Sequence, residues 1–312
     1  MRALTVQDGQ LLLVEAQLPV PKDGEILVDV AFAGINGTDV EVRDGGWQLQ
    51  SRRHRKRGPA VTGIELSGIA RTSGARIKAG QRVIGYSHVL SGPRTHAEVV
   101  PAAERDLQVV PDTLDLQDAA SLIVGGLTAI DILERLRPLK AGDRCLVGGA
   151  AGAVGSCSVQ IAKSQKATVV AVAASKDEEW LRGLGAAEVR DGRTDGWWRG
   201  GDRFDLVIDT PASSSFVEAA PFLANRGTYV STNPQKDLAG FARAMFSTKR
   251  AAFLLLLRSN SDALGRLLEL ASNGTLRPAI DSTYDLNEVS AAFHRVSSKG
   301  RQGRVMLKVA QG

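Results

Sequence analysis

Three glycines in the stretch Cys145-Leu-Val-Gly-Gly-Ala-Ala-Gly-Ala-Val-Gly-Ser156 are the residues whose spacing most directly suggests chemistry. A short apolar run ends at Gly149, Gly152 and Gly155 follow, and a helical pattern then opens. Glycine permits a tight turn and close approach of a ligand, while the first N–H groups and positive dipole end of the helix attract phosphate. Gly149, Ala150, Gly152, Ala153, Val154 and Gly155 are therefore expected to cradle a dinucleotide pyrophosphate. The flanks agree. Val159, Ile161 and Ala162 give an apolar helix face, Lys163 and Lys166 close the helix, and Thr168 to Ala174 reads as a second buried parallel strand. That is a βαβ unit of the expected length; the alternative is a glycine-rich turn without a nucleotide.

The end of the second strand bears on which dinucleotide is preferred. An acidic residue there would bind the adenosine ribose hydroxyls and repel a 2′-phosphate. The chain has Ala173 and Ala174 followed by Ser175 and Lys176. Ser175 could hydrogen-bond a phosphate and Lys176 could neutralise it, so NADPH is expected over NADH. Asp177, Glu178 and Glu179 argue mildly the other way, although they read more simply as the acidic first turn of a helix capped by Ser175. Lys176 as a solvated surface lysine is the other reading.

These residues need a folded frame, and the composition supplies one. The 312 residues are 43% hydrophobic and 23% charged, which suits a globular chain long enough for two domains. The conspicuous apolar run Ala251 to Leu257 is far short of a membrane span, and Met1 to Asp8 lacks a signal-like apolar core, so a cytoplasmic protein with no membrane partner is expected. The two cysteines, Cys145 and Cys157, cannot build a disulfide scaffold or a cysteine-rich metal site and read as small core residues. The net charge of +5 is uneven, with five cations between Arg52 and Arg57. That run fits a docking patch for an acidic partner such as a carrier protein, or simply a solvated loop. No aromatic residues interleave it, which argues against nucleic acid.

Strand-like segments at Glu25–Phe32, Ser67–Arg71, Gln81–Gly85 and Ala97–Pro101, punctuated by Gly and Pro, suggest a mostly β first domain. Helical spacing follows at Leu116–Val124 and Thr128–Leu136. Strands at Phe204–Asp209 and Gly227–Ser231 extend the nucleotide unit, a helix runs from Asp262 to Asn273, and a last strand closes the chain at Gly303–Val309. The expected division is residues 1–117, 118–262 and a return at 263–312.

The order of motifs over almost the whole chain resembles the medium-chain dehydrogenase/reductase superfamily, within it the zinc-free quinone oxidoreductase branch. The resemblance rests on Ile35-Asn36-Gly-Thr-Asp39 with Arg43-Asp-Gly45, Gly63-Ile-Glu65-Leu-Ser-Gly68, Gly80-Gln-Arg-Val-Ile-Gly85, Gly126-Leu-Thr128-Ala129, the Ala-Ala-Gly-Ala-Val-Gly turn and Gly303-Arg-Val-Met-Leu. It implies an α/β fold: a GroES-like β-barrel catalytic domain, completed by the C-terminal return, plus a Rossmann doubly wound parallel sheet. It also implies a homodimer joined through the nucleotide domains. Thr128 should face the nicotinamide, with Phe253 and Leu255 near it at the edge strand.

In the zinc branch a cysteine would stand at Asn36 and a histidine at Ile64; amide and isoleucine cannot replace them as ligands, so no metal is expected. Hydride would then pass to an acceptor with its own electron sink, a quinone or an α,β-unsaturated carbonyl. Asn36 is the first candidate for a polar contact to substrate or nicotinamide in the cleft between domains that the resemblance implies. Asp39 is the second, or equally a tie for the loop backbone. Trp47 stands where the branch often has tyrosine; it can wall a flat substrate but cannot transfer a proton. Tyr86, His88 and His96 are the other donors considered, and Lys299 and Arg304 could add charge around the adenosine phosphate or mark a solvated end. Two further functions remain open: a tailoring or enoyl reductase on a carrier-bound or polycyclic intermediate, and a catalytically weak NADPH-binding sensor or RNA binder.

Overall fold

The computed structural model describes residues 1–46, 62–87, 94–193, 201–233, 237–253 and 260–309. The chain divides into two units, Met1–Val124 with Ser259–Gly274 and Pro278–Gly312, and Gly125–Arg258 with Thr275–Arg277. The first division falls after Val124 rather than at 117, and the return begins at Ser259 rather than 263.

The first unit is built on β3 (Glu25–Gly34), where Ile26, Val28 and Val30 alternate into the core. Alternation of β-branched residues over this length favours a strand with one face buried. β3 pairs antiparallel with β4 (Glu65–Ala70), β6 (Val99–Ala103) and β15 (Arg304–Lys308). The sheet runs β14 (Ile280–Asp285), β15, β3, β4, β5 (Arg82–Tyr86), β7 (Leu107–Val109), and β1 (Arg2–Gln7) and β2 (Gln10–Glu15) form a separate hairpin. The expectation of a closed barrel is corrected here. Among the described residues β14 and β7 do not pair, so the GroES-like unit is an open sheet. A core of Ile26, Val28, Leu66, Val83, Leu107, Phe293 and Leu307 joins strands from both ends of the chain, with α8 (Val289–Ser297) packed on β14 and β15. Helix α1 (Gly37–Arg43) follows β3, and α7 (Ser261–Ser272) turns Leu264, Leu267 and Leu268 inward.

The second unit is a parallel sheet of β8 (Arg144–Gly148), β9 (Thr168–Ala173), β10 (Glu188–Asp191), β11 (Phe204–Asp209), β12 (Leu223–Ser231) and β13 (Arg250–Phe253). Its order, β10-β9-β8-β11-β12-β13, is the doubly wound order, with the direction of winding reversing between β8 and β11. Cys145, Leu146 and Val147 are all fully buried, as expected of a central strand covered on both faces. Helix α3 (Ala153–Ser164) crosses from β8 to β9, and α4 (Glu178–Leu184) from β9 to β10. Shorter helices α5 (Phe216–Ala219) and α6 (Leu238–Ala244) flank β12.

The two helical stretches read before β8 are one element. Helix α2 (Leu116–Ile130) continues through a π-helical turn at Asp131–Leu136, passing Gly125 and Gly126 without a break. A Cβ on Gly125 would lie 2.6 Å from the Ala153 carbonyl oxygen, so this glycine lets α2 approach the start of α3. Leu116–Leu136 is long and apolar enough to cross a membrane, but most of it is buried inside the protein, which marks it as a core element.

Candidate functional site

In the nucleotide-type unit, Gly149 follows β8 with φ 66°, a left-handed conformation that favours glycine. A Cβ there would meet Thr210 Oγ1 at 2.5 Å and Pro211 at 2.8 Å, from the end of the neighbouring strand β11. Thr210 Oγ1 donates to the Gly148 carbonyl at 2.8 Å and fixes the two strand ends together. Gly155 is packed just as tightly, because its Cβ would lie 2.6 Å from Ala150 Cα. Gly152 is different. It is the N-cap of α3 with φ −80° and ψ 173°, and an added Cβ would meet nothing closer than the Gly149 carbonyl oxygen at 3.4 Å. Neither backbone conformation nor packing requires glycine at 152. It has no side chain to cap the first-turn N–H groups of a twelve-residue helix, so that end of α3 is open to an anion.

Around the tip of β9 the expected roles shift. Ser175 does not cap α4; its hydroxyl donates to Asp191 Oδ2 at 2.6 Å, and the helix N-cap is Asp177. Lys176 Nζ lies 3.1 Å from Oδ1 of the buried Asp177. Thr128 is buried on α2.

In the first unit, Asn36, Asp39, Glu65, Tyr86, His96 and Arg304 are all buried. Asp39 accepts from the backbone N–H of Asn36 at 2.8 Å and of Gly63 at 2.6 Å, one on each oxygen, so it ties two loops together. Asn36 Nδ2 donates to Glu65 Oε1 at 3.4 Å, and Val124 N–H donates to Glu65 Oε2 at 2.9 Å. The Arg304 guanidinium forms an ion pair with the same carboxylate. Gly34 leaves room for that pair, since its Cβ would run into Glu65 and Arg304. His96 Nε2 faces the Gly34 carbonyl at 3.1 Å and therefore donates, while Nδ1 meets the Thr62 hydroxyl at 3.0 Å. Burial pushes the Arg304 guanidinium down to about 10, opposed by Asp39.

Tyr86 lies opposite Glu65 in the β4–β5 ladder. Burial, and then the charge of Asp39, push its phenol up to about 12. It therefore keeps its proton at neutral pH and can donate a hydrogen bond. A phenol raised in the folded state stabilises the fold fully below pH 10, and that contribution is lost as pH rises towards 12. Tyr86→Phe is expected to flatten the loss of stability over this interval, by about 1.4 kcal/mol per pH unit, in denaturation series at pH 9 to 12. A difference between the two proteins that does not change with pH would refute this.

Two expected cofactor contacts belong to the first unit. Lys299 is exposed there. Arg304 is no solvated end: it is buried against Glu65, and its charge is balanced inside the unit instead of at an adenosine phosphate. Trp47, His88, Leu255 and the Arg52–Arg57 run lie outside the described residues, and of Phe253 only the strand position is described. Among the described residues no group of three or more His, Cys, Asp or Glu is placed to hold a metal ion.

Family models match most of this frame: an alcohol dehydrogenase GroES-like domain over residues 22–112 and a zinc-binding dehydrogenase over residues 184–307. Quinone oxidoreductase-like protein 2 of Bos taurus is 29% identical, covering 98% of this chain and 92% of its own. Quinone oxidoreductase of Lama guanicoe is 28% identical over 98% of this chain and 97% of its own. The solved quinone oxidoreductase from Coxiella burnetii superposes with a TM-score of 0.90 at 25% identity, covering 99% of each chain. The chain belongs to the medium-chain dehydrogenase/reductase superfamily, in its quinone oxidoreductase-like branch.

As a medium-chain oxidoreductase it belongs to a family that binds nicotinamide dinucleotides. The turn fits such a ligand: Gly149 and Gly155 are required by the protein's own packing, whereas Gly152 leaves the helix end bare. The sequence reading missed the pairing of Glu65 with Arg304 and that of Ser175 with Asp191. Strand order brings each pair together, and only the closing Gly303-Arg-Val-Met-Leu strand hinted at the first.

Proposed function

We propose that this protein is a zinc-independent, NADPH-dependent reductase that delivers hydride to a quinone or an α,β-unsaturated carbonyl. The observation that supports it is the state of Glu65. Its carboxylate is paired with Arg304 and accepts from Asn36 and the Val124 N–H, beside an amide and Ile64 where a zinc enzyme needs thiolate and imidazole. A guanidinium held on the Glu65 carboxylate does not fit a cation bound there. Without a Lewis acid, the acceptor must carry its own electron sink.

The nicotinamide, when bound, supplies the hydride. The chain's part is to hold the pyrophosphate at the α3 turn and to present hydrogen-bond donors where negative charge develops. Asn36 is the candidate donor of the first unit, held in place through Glu65 and through its own N–H to Asp39. Water is the source of the final proton, since the enolate or hydroquinone dianion formed is basic enough to take one from it. A homodimer joined through the nucleotide units and a cytoplasmic location complete the reading.

The test is NADPH oxidation, with NADH in parallel, across naphthoquinones, conjugated enones and enoyl thioesters before and after exhaustive chelation. Saturable, NADPH-selective turnover that survives chelation is expected. Chelator-sensitive oxidation of simple alcohols with no enone or quinone reduction would overturn the reading.

A further inference from the structure

The tip of β9 carries an arrangement that the residue types at positions 173 to 176 do not reveal. Asp191 ends β10, and its Cα is the register partner of Ala173, the last residue of β9. The neighbouring strand thus brings a carboxylate beside the place where a ribose-reading acid is expected. This carboxylate is already saturated. Oδ2 accepts from the Ser175 N–H at 3.2 Å, the Ser175 hydroxyl at 2.6 Å and Arg193 Nη2 at 2.6 Å. Oδ1 accepts from the Arg193 N–H at 2.9 Å and Nε at 3.0 Å. A carboxylate offers about four lone-pair positions, so none remains for a ribose hydroxyl.

The arginine is placed differently. One edge of its guanidinium is held by Asp191, while its side chain is 73% exposed. Among the described residues its Nη1 has no partner. A planar fork fixed along one edge presents the other edge to an incoming anion, and a guanidinium matches the geometry of phosphate oxygens. Ser175 lies on the same Asp191 oxygen as Nη2. Lys176 is the weaker candidate, since its ammonium is in contact with buried Asp177, whose charge reaches Arg193 only through space.

We propose that Arg193, positioned by Asp191 beside Ser175, receives the 2′-phosphate of the dinucleotide and sets the preference for the phosphorylated form. This rests on the nicotinamide-dinucleotide reading above. The Asp191 carboxylate is held well below the usual range, first by its bond from the Arg193 side chain and then by Ser175, so the pair persists throughout the working pH range.

The full chain, Arg193→Gln, Arg193→Lys and Lys176→Gln would be titrated calorimetrically with NADPH, NADH, adenosine 2′,5′-bisphosphate and AMP. Arg193→Gln is expected to weaken NADPH and the bisphosphate by about ten- to a hundred-fold and to leave NADH and AMP within about twofold. Arg193→Lys should recover part of that loss, and Lys176→Gln should cost less than Arg193→Gln. The assignment is overturned if Arg193→Gln weakens NADPH and NADH alike, if neither changes, or if Lys176→Gln alone removes the phosphate preference. Failure of the wild-type chain to bind any of the four ligands would instead remove the dinucleotide reading itself.

Discussion

Gly152→Asp is expected to melt at or above the wild-type temperature while losing at least about a hundred-fold in affinity for both NADPH and NADH. The backbone at 152 is extended and the space around it is open, so a side chain enters without displacing protein atoms. Aspartate is also among the best N-cap residues and sits at the positive end of α3, where it stabilises the helix by about 1 kcal/mol. The same carboxylate places a negative charge and two acceptor oxygens where the pyrophosphate must lie. Thermal unfolding and a fluorescence titration read the two effects separately. Gly155→Ala serves as the contrast, because its methyl would press on Ala150 Cα and must lower the melting temperature. Gly152→Asp binding NADPH normally would show that the turn is not the phosphate site.

Arg304→Met is expected to destabilise the first unit by about 3–5 kcal/mol, read from urea midpoints, because it leaves Glu65 charged, buried and short of a partner. Glu65→Gln alone strands the guanidinium and should cost a similar amount. The double substitution should recover most of the loss: glutamine still accepts from Val124 N–H, and a methionine fills the space of the arginine stem. Two single effects that simply add would mean that the residues are not coupled.

The parts of this protein written in contiguous residues were the parts open to reading. The turn from β8 into α3 declares itself because glycine, apolar strand and helix face follow one another within about a dozen residues, and each has its own local signature. The doubly wound, parallel character of the second sheet followed from the alternation of strand and helix. What depends on strand register did not show. Ser175 looked like a helix cap because its acidic neighbours supplied the pattern, yet a carboxylate one strand away competes for its hydroxyl. Arg304 looked like a charge at a chain end; only the pairing of β15 with β3 carries it to Glu65. Likewise closure of the first sheet depends on whether its two outermost strands meet, which no residue pattern in either strand encodes.

The return of β15 to β3 also orders events in time. The nucleotide unit is almost continuous in the chain, whereas the first unit is interrupted by it and completed by residues that follow it. A nascent chain leaving the ribosome holds the Phe32–Gly34 end of β3 unpaired on one side until β15 has been made, although the interrupting unit has by then every strand it needs. The inserted unit can therefore fold before its host, and one end of β3 is among the last segments to find its partner.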